Sequence, residues 1–203
     1  MLRIRTILVC LMIAAAAAGA CAEPATSPAP TEAGGNGTYE PRFSFRNGIL
    51  WNMDPQQVQS LEPVQMTERI SGEWSVMVTA EKVSVSRFSA NLVFMFFQNR
   101  LKMITYEFQS SGGTAVQYQY LTGALCSVYG EYRETNGTDI KAYMDMINSG
   151  LYQKEKIRQG HAWTAADGTA VFLYYFDTDR FAIMYLNPEM TVTGNGTYDI
   201  QGL

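Results

Sequence analysis

Two stretches of the chain spell nearly the same pattern, and that pattern restricts the fold more than anything else in the sequence. Asn91 to Phe108 reads NLVFMFFQNRLKMITYEF, and Thr169 to Leu186 reads TAVFLYYFDTDRFAIMYL. In both, two apolar runs rich in aromatic and β-favouring residues flank a short polar link. VFMFF matches VFLYY and RLKMI matches RFAIM, with Thr178 and Asp179 as extra residues in the second link. Such runs read as strands, and links this short join only antiparallel neighbours. The first run is apolar on both parities, Leu92, Phe94 and Phe96 as well as Val93, Met95 and Phe97, so it needs cover on both faces. The two stretches are therefore expected to be paired hairpins of one antiparallel sheet, the first at its centre and the second completing it.

The surrounding chain supplies the rest of an α+β domain. Phe43 and Phe45 alternate before a tight turn at Asn47-Gly48. Asp54-Pro55 with Gln57 spells a capped helix start, Met53 and Val58 could staple it, Val58 and Leu61 share a face, and Pro63 ends it. From Gly72 the period is two: Trp74, Val76 and Val78, a turn near Ala80 to Lys82, then Val83 and Val85. With the first hairpin this predicts a four-strand meander whose last strand keeps Thr105 and Glu107 on a wetter face.

Thr114 to Gly130 carries Tyr118, Leu121, Leu125, Val128 and Tyr129 at helical spacing, and a further helix is expected from Thr138 or Asp139 to Gly150. Leu151 to Gly160 is charged, an irregular or exposed strand. Strands then return from His161 to Leu186, and Asn187-Pro188 closes the sheet. The fold expected is an antiparallel β-meander sheet packed by two or three helices, with the hairpins marking two imperfect repeats. Residues 39–188 form its single domain and 189–203 a C-terminal tail.

The N-terminus is an address. Arg3 and Arg5 precede an uncharged apolar run from Ile7 to Ala18, too short for a membrane span of roughly 20 residues, and small residues lead to Cys21. Residues 1–20 read as a signal peptide. Ala22 to Gly37, AEPATSPAPTEAGGNG, has almost no bulky apolar residue and cannot build a core. With Cys21 it forms a flexible tether, 21–38, reaching up to roughly 50 Å at about 3 Å per residue.

Composition removes several classes of function. The net charge of -4 becomes -6 once Arg3 and Arg5 leave with the leader, and no Lys/Arg run exceeds two, so no nucleic-acid footprint exists. One histidine and few cysteines make no zinc site, and no cofactor motif occurs. His161, the sole histidine, starts a strand and reads as exposed rather than catalytic. Cys126 is the thiol left after Cys10 is removed and Cys21 acylated, which excludes an internal disulfide in that form, and it reads as a buried structural residue. Asp167, Asp177 and Asp179 are turn formers, and Glu131 and Glu134 are the only carboxylates put forward as a glycosidase pair. Asn36, Asn136 and Asn195 begin Asn-Gly-Thr, read here as turns. Tyr106, Tyr118, Tyr120, Tyr174, Tyr175 and Tyr185 could together line an aromatic recognition surface on the sheet.

Ala18-Gly19-Ala20-Cys21 resembles the lipobox of bacterial lipoproteins, with Ala18 where that family usually has Leu. The resemblance implies cleavage before Cys21, lipid on its thiol, and anchoring at the outer side of a cell membrane. The element order, the FRNGILWNMDPQQV opening and the repeated hairpin are similar to the two-repeat helix-plus-sheet plan of the β-lactamase inhibitor protein and of the small lipoprotein of outer-membrane assembly. That likeness implies a fold and no activity. The function expected is a non-enzymatic, lipid-anchored extracytoplasmic module binding a protein or envelope polymer. The alternatives are an envelope-polymer hydrolase using carboxylates and a protein inhibitor with an aromatic sheet surface.

Overall fold

A computed structural model describes residues 45–109, 114–136, 156–176, 178–192 and 198–200. After a short 3-10 turn at Arg46–Gly48 the elements are α1 (Pro55–Leu61), β1 (Met66–Ser71), β2 (Trp74–Thr79), β3 (Val83–Val85), β4 (Phe88–Phe97) and β5 (Arg100–Gln109). They continue with α2 (Thr114–Tyr129), β6 (Arg133–Glu134), β7 (Ile157–Thr164), β8 (Ala170–Phe176), β9 (Arg180–Leu186), β10 (Met190–Val192) and β11 (Tyr198–Ile200).

One antiparallel sheet runs β1-β2-β4-β5-β9-β8-β7-β6, with β3 paired to β4 beside that path. The two hairpins expected from the sequence are β4-β5 and β8-β9, and they meet along a seam from Met103↔Leu186 to Gln109↔Arg180. Each half is a helix followed by its strands, and the strand order of the second half mirrors the first across this seam. The fold is α+β as expected, built from two imperfect repeats.

Local chemistry explains the elements. Asn47 and Gly48, both at positive φ, turn the chain so that Ile49 N–H reaches Arg46 O. Asp54 accepts from Gln57 N–H at 2.8 Å while Gln57 Oε1 accepts from Asp54 N–H at 3.0 Å, a complete capping box. Val58 is buried with Met53 packed against its cluster, but Leu61 is largely exposed, so the helix inserts one residue rather than a face. The β4-β5 turn places Gln98 and Asn99 at φ 48° and 60°. Gln98 is held there through its N–H to Glu73 O and its side chain to Glu73 Oε1.

Apolar side chains fill both faces of the sheet. On one face Phe45, Ile49, Val58, Leu92, Phe94, Phe96 and Ile104 pack together under α1, and Tyr118, Leu121, Leu125, Trp163, Leu173 and Phe181 pack under α2. On the other face one cluster runs across both halves, from Trp74, Met95 and Phe97 to Phe172, Tyr174 and Met184. Because this cluster crosses the seam, the halves share a core and form one unit.

Four local expectations change. Met66–Ser71 is a strand that the alternation rule missed, because MTERIS lies at the sheet edge with its central four residues exposed. Ala80 to Lys82 is a jog and not a reversal, since β2 and β3 both run antiparallel to β4, against Val93–Phe97 and Phe88–Ala90. Lys102 is an extra residue opposite the Met95/Phe96 register shift, which turns Leu101 and Ile104 to the helical face and Met103 to the other. Thr105 is consequently fully buried, so the face read as wetter is dry at its centre. The tail also contributes to the fold, because Met190 is buried in the shared cluster and β10 pairs with β11. Cys21, the leader, the tether and the helix expected over 138–150 lie outside the described residues.

Candidate functional site

His161 is buried, not exposed as its strand position suggested. It stacks on Tyr132 at 3.8 Å between ring centroids, with Tyr118 and Trp163 completing an aromatic surround. Thr122 Oγ1 donates to Tyr118 O, so it accepts from His161 Nδ1–H at 3.4 Å, and His161 Nε2 accepts from Gln159 Nε2 at 3.1 Å. Burial pushes its pKa below the usual histidine value, with Glu134 acting weakly in the other direction. A general base needs a lone pair open to substrate, and both ring nitrogens here are engaged internally.

Beside it lies an open recess of about 620 Å³ lined by Glu134, Thr135, Asn136, Arg158, Gln159 and Gly160. Glu134 pairs across from His161 on β7 and lines the recess, whereas Glu131 does not. The proposed carboxylate pair therefore contributes one member to the recess, and Arg158 brings the opposite charge.

A connected polar cluster joins the two halves. Lys102 Nζ donates to Asn52 Oδ1 at 3.0 Å and to Glu189 Oε2 at 2.5 Å, and Asn52 Nδ2 donates to Glu189 Oε1 at 2.7 Å. Asn187 Nδ2 donates to Asn52 Oδ1 and Leu101 O, while Glu189 N–H donates to Asn187 Oδ1. The hydrogen bond from Lys102 holds the Glu189 carboxyl below its usual pKa. A second cluster ties the N-terminal segment to the end of α1: buried Glu62 Oε2 forms an ion pair with Arg46 Nε at 3.1 Å and accepts from Asn47 Nδ2 at 3.2 Å. Burial pushes the neighbouring Tyr106 hydroxyl up to about 12. Both clusters spend their charges on internal partners, which suits fastening segments rather than receiving a ligand. The sequence did not reveal them, because their members lie far apart along the chain and each residue type is ordinary.

The tyrosines proposed as a sheet surface are mostly absorbed by packing. Tyr118 and Tyr174 are buried, Tyr106, Tyr175 and Tyr185 are half-buried, and only Tyr120, on α2, is exposed. Asp167 caps a turn by accepting from Thr169 N–H and Oγ1–H, and Asp179 accepts from Tyr175 Oη–H, as turn formers should. Among the described residues no group of His, Cys, Asp and Glu could hold a metal. Cys126 departs from the expectation of a buried free thiol: it is half-buried against the cluster under α2, and it is disulfide-bonded.

The surface feature that stands out is α2. Its sixteen residues, TAVQYQYLTGALCSVY, include no charged side chain, and Val116 and Val128 are 68% and 70% exposed. One side of α2 packs on the sheet, and the side in solvent mixes these apolar residues with the uncharged polar Gln119 and Ser127. No helix among the described residues is long and apolar enough to cross a membrane. Comparison with protein families, characterised proteins and solved structures finds no match to this chain.

Proposed function

We propose that the chain is a lipid-anchored module on the outer side of a bacterial cell membrane, binding a protein or envelope polymer without chemical turnover. The observation that carries this reading is the succession at the N-terminus. A basic and apolar leader ends in Ala18-Gly19-Ala20-Cys21, a proline-rich tether follows, and the described fold starts at Phe45. A diacylglyceryl group on Cys21 supplies two acyl chains, enough for stable anchoring where one would be marginal. The engaged state of His161 and Lys102 supports a scaffold role, since the ring nitrogens of the one and the ammonium of the other are tied to neighbours within the fold.

Replacing Cys21 with Ala is expected to move the protein from the membrane to the soluble fraction. Unchanged membrane association would overturn the anchor. Incubation with cell-wall fragments is expected to leave them intact, and turnover lost on Glu134→Gln would instead establish the hydrolase.

A further inference from the structure

We infer that the recess beside β6 and β7 binds a short peptide carrying a free ammonium and a free carboxylate about 10 Å apart, the ammonium at Glu134 and the carboxylate at Arg158. The recess thereby supplies a ligand class for the binding role proposed above, and rests on that reading.

The backbone builds the site. Neighbouring residues of a strand ordinarily face opposite ways, yet Arg158, Gln159 and Gly160 all line the recess. A register shift between Ile157 and Gln159 explains this, since it leaves Arg158 as an extra residue and re-aims its side chain. Gly160, with no Cβ, lets Thr135 O close against β7. Glu134 lies opposite His161, and Gln159, two residues back along β7, shares their face, so Glu134 and Gln159 are diagonal neighbours.

Both neighbours bring an acceptor. Glu134 is exposed, and among the described residues its carboxylate enters no ion pair. Gln159 Nε2 is spent on His161 Nε2, which leaves Oε1 to accept from a ligand. An ammonium has three donors and no acceptor, so two adjacent acceptors suit it. Arg158 stands three residues from His161 along β7, about 10 Å at ~3.3 Å per residue. Its guanidinium lies 5.5 Å from the Tyr175 ring centre and 3.7 Å from Asp179, with the side chain nearly half exposed. A guanidinium has five donors, so the Asp179 contact leaves some for a second carboxylate.

The lining argues against other ligands. Among the described residues no aromatic side chain lines the recess, so a sugar ring has no face to stack on, and Glu134 repels a polyanion. The volume of about 620 Å³ is that of a site for a small organic ligand, and three extended residues span about 10 Å.

Titration of the full mature chain in a non-ionic detergent with triglycine, followed by the amide resonances of residues 134 and 158 to 160, tests the site. Saturable shifts at these amides are expected. Blocking the ammonium, as N-acetyl-triglycine, or the carboxylate, as triglycinamide, should each weaken binding by roughly fivefold or more. Glu134→Gln should bind triglycine and N-acetyl-triglycine alike, and Arg158→Gln should bind triglycine and triglycinamide alike, which separates the two charges from general damage to the fold. Absence of saturable shifts, blocked peptides that bind as well as the free one, or variants that keep the discrimination would each overturn the site and leave the lipid-anchored reading as it stands. Cleaved triglycine recovered from the titration would support the site and overturn the reading without turnover.

Discussion

His161 and Lys102 show how a residue's surroundings decide what its chemistry is for. His161 is the sole histidine, so any histidine-dependent change in stability belongs to it. Burial among Tyr118, Tyr132 and Trp163 outweighs the charge of Glu134 from β6, and the pKa of the folded state lies below the unfolded value. The unfolded chain therefore binds more protons as pH falls through about 6.5. Stability should be full above that pH and decline on acidification toward the folded pKa. Urea midpoints measured from pH 8 to pH 5.5 check this, and His161→Phe should remove the slope. For Lys102, replacement with Met leaves Glu189 and Asn52 without their shared donor. Since Glu189 is half exposed, the expected cost is about 1–2 kcal/mol by urea titration. Neither environment was legible in the sequence: His161 reads as exposed from its position, and Lys102 as an ordinary strand residue, until the bulge at Met95/Phe96 places it.

At the scale of elements, local rules worked wherever neighbouring residues carry the information. Asp54, Pro55 and Gln57 specify α1 within four positions, and the structure forms the capping box they spell. Asp54→Ala should cost about 1 kcal/mol in thermal or chemical unfolding. The rules failed where tertiary pairing overrides composition. β1 is polar and gains its strand conformation from β2, while β3 continues in the direction of β2 because both segments answer to β4. Gly160 makes the same point within β7. A Cβ there would lie 2.4 Å from Thr135 O and 2.8 Å from Tyr174 Cδ1, so only glycine admits the approach. Gly160→Ala should destabilise by about 1–3 kcal/mol and loosen β6. Faster amide exchange of Thr135, whose N–H donates to Gly160 O, would report that loosening.

For the whole molecule, the two hairpins that dominate the sequence lie side by side at the middle of the sheet, and a mirrored strand order grows outward from their seam. The central place of the first hairpin was legible, because β4 is apolar on both parities and needs cover on both faces; that the second lies directly beside it was not. Nor was the mirrored order itself, since it depends on which hairpin edges meet. With one apolar cluster crossing the seam, unfolding should be a single transition. Phe172→Ala, emptying a fully buried site on the shared face, should lower stability by about 3–5 kcal/mol without splitting it. Separate fluorescence and circular-dichroism midpoints would show instead that the halves melt independently. Exposure was least legible: α2 looks like a core helix until the structure leaves Val116 and Val128 uncovered.

The account as a whole depends on what becomes of Cys21, since a thiol carrying a diacylglyceryl group cannot also be the disulfide partner of Cys126. The direct measurement is the intact mass and the N-terminal peptide of the mature protein from its own cell envelope. A peptide that starts at Cys21 and carries diacylglyceryl is the predicted result. A start at any other residue, an unmodified Cys21, or a Cys21 peptide linked to the Cys126 peptide would contradict the lipid-anchored reading.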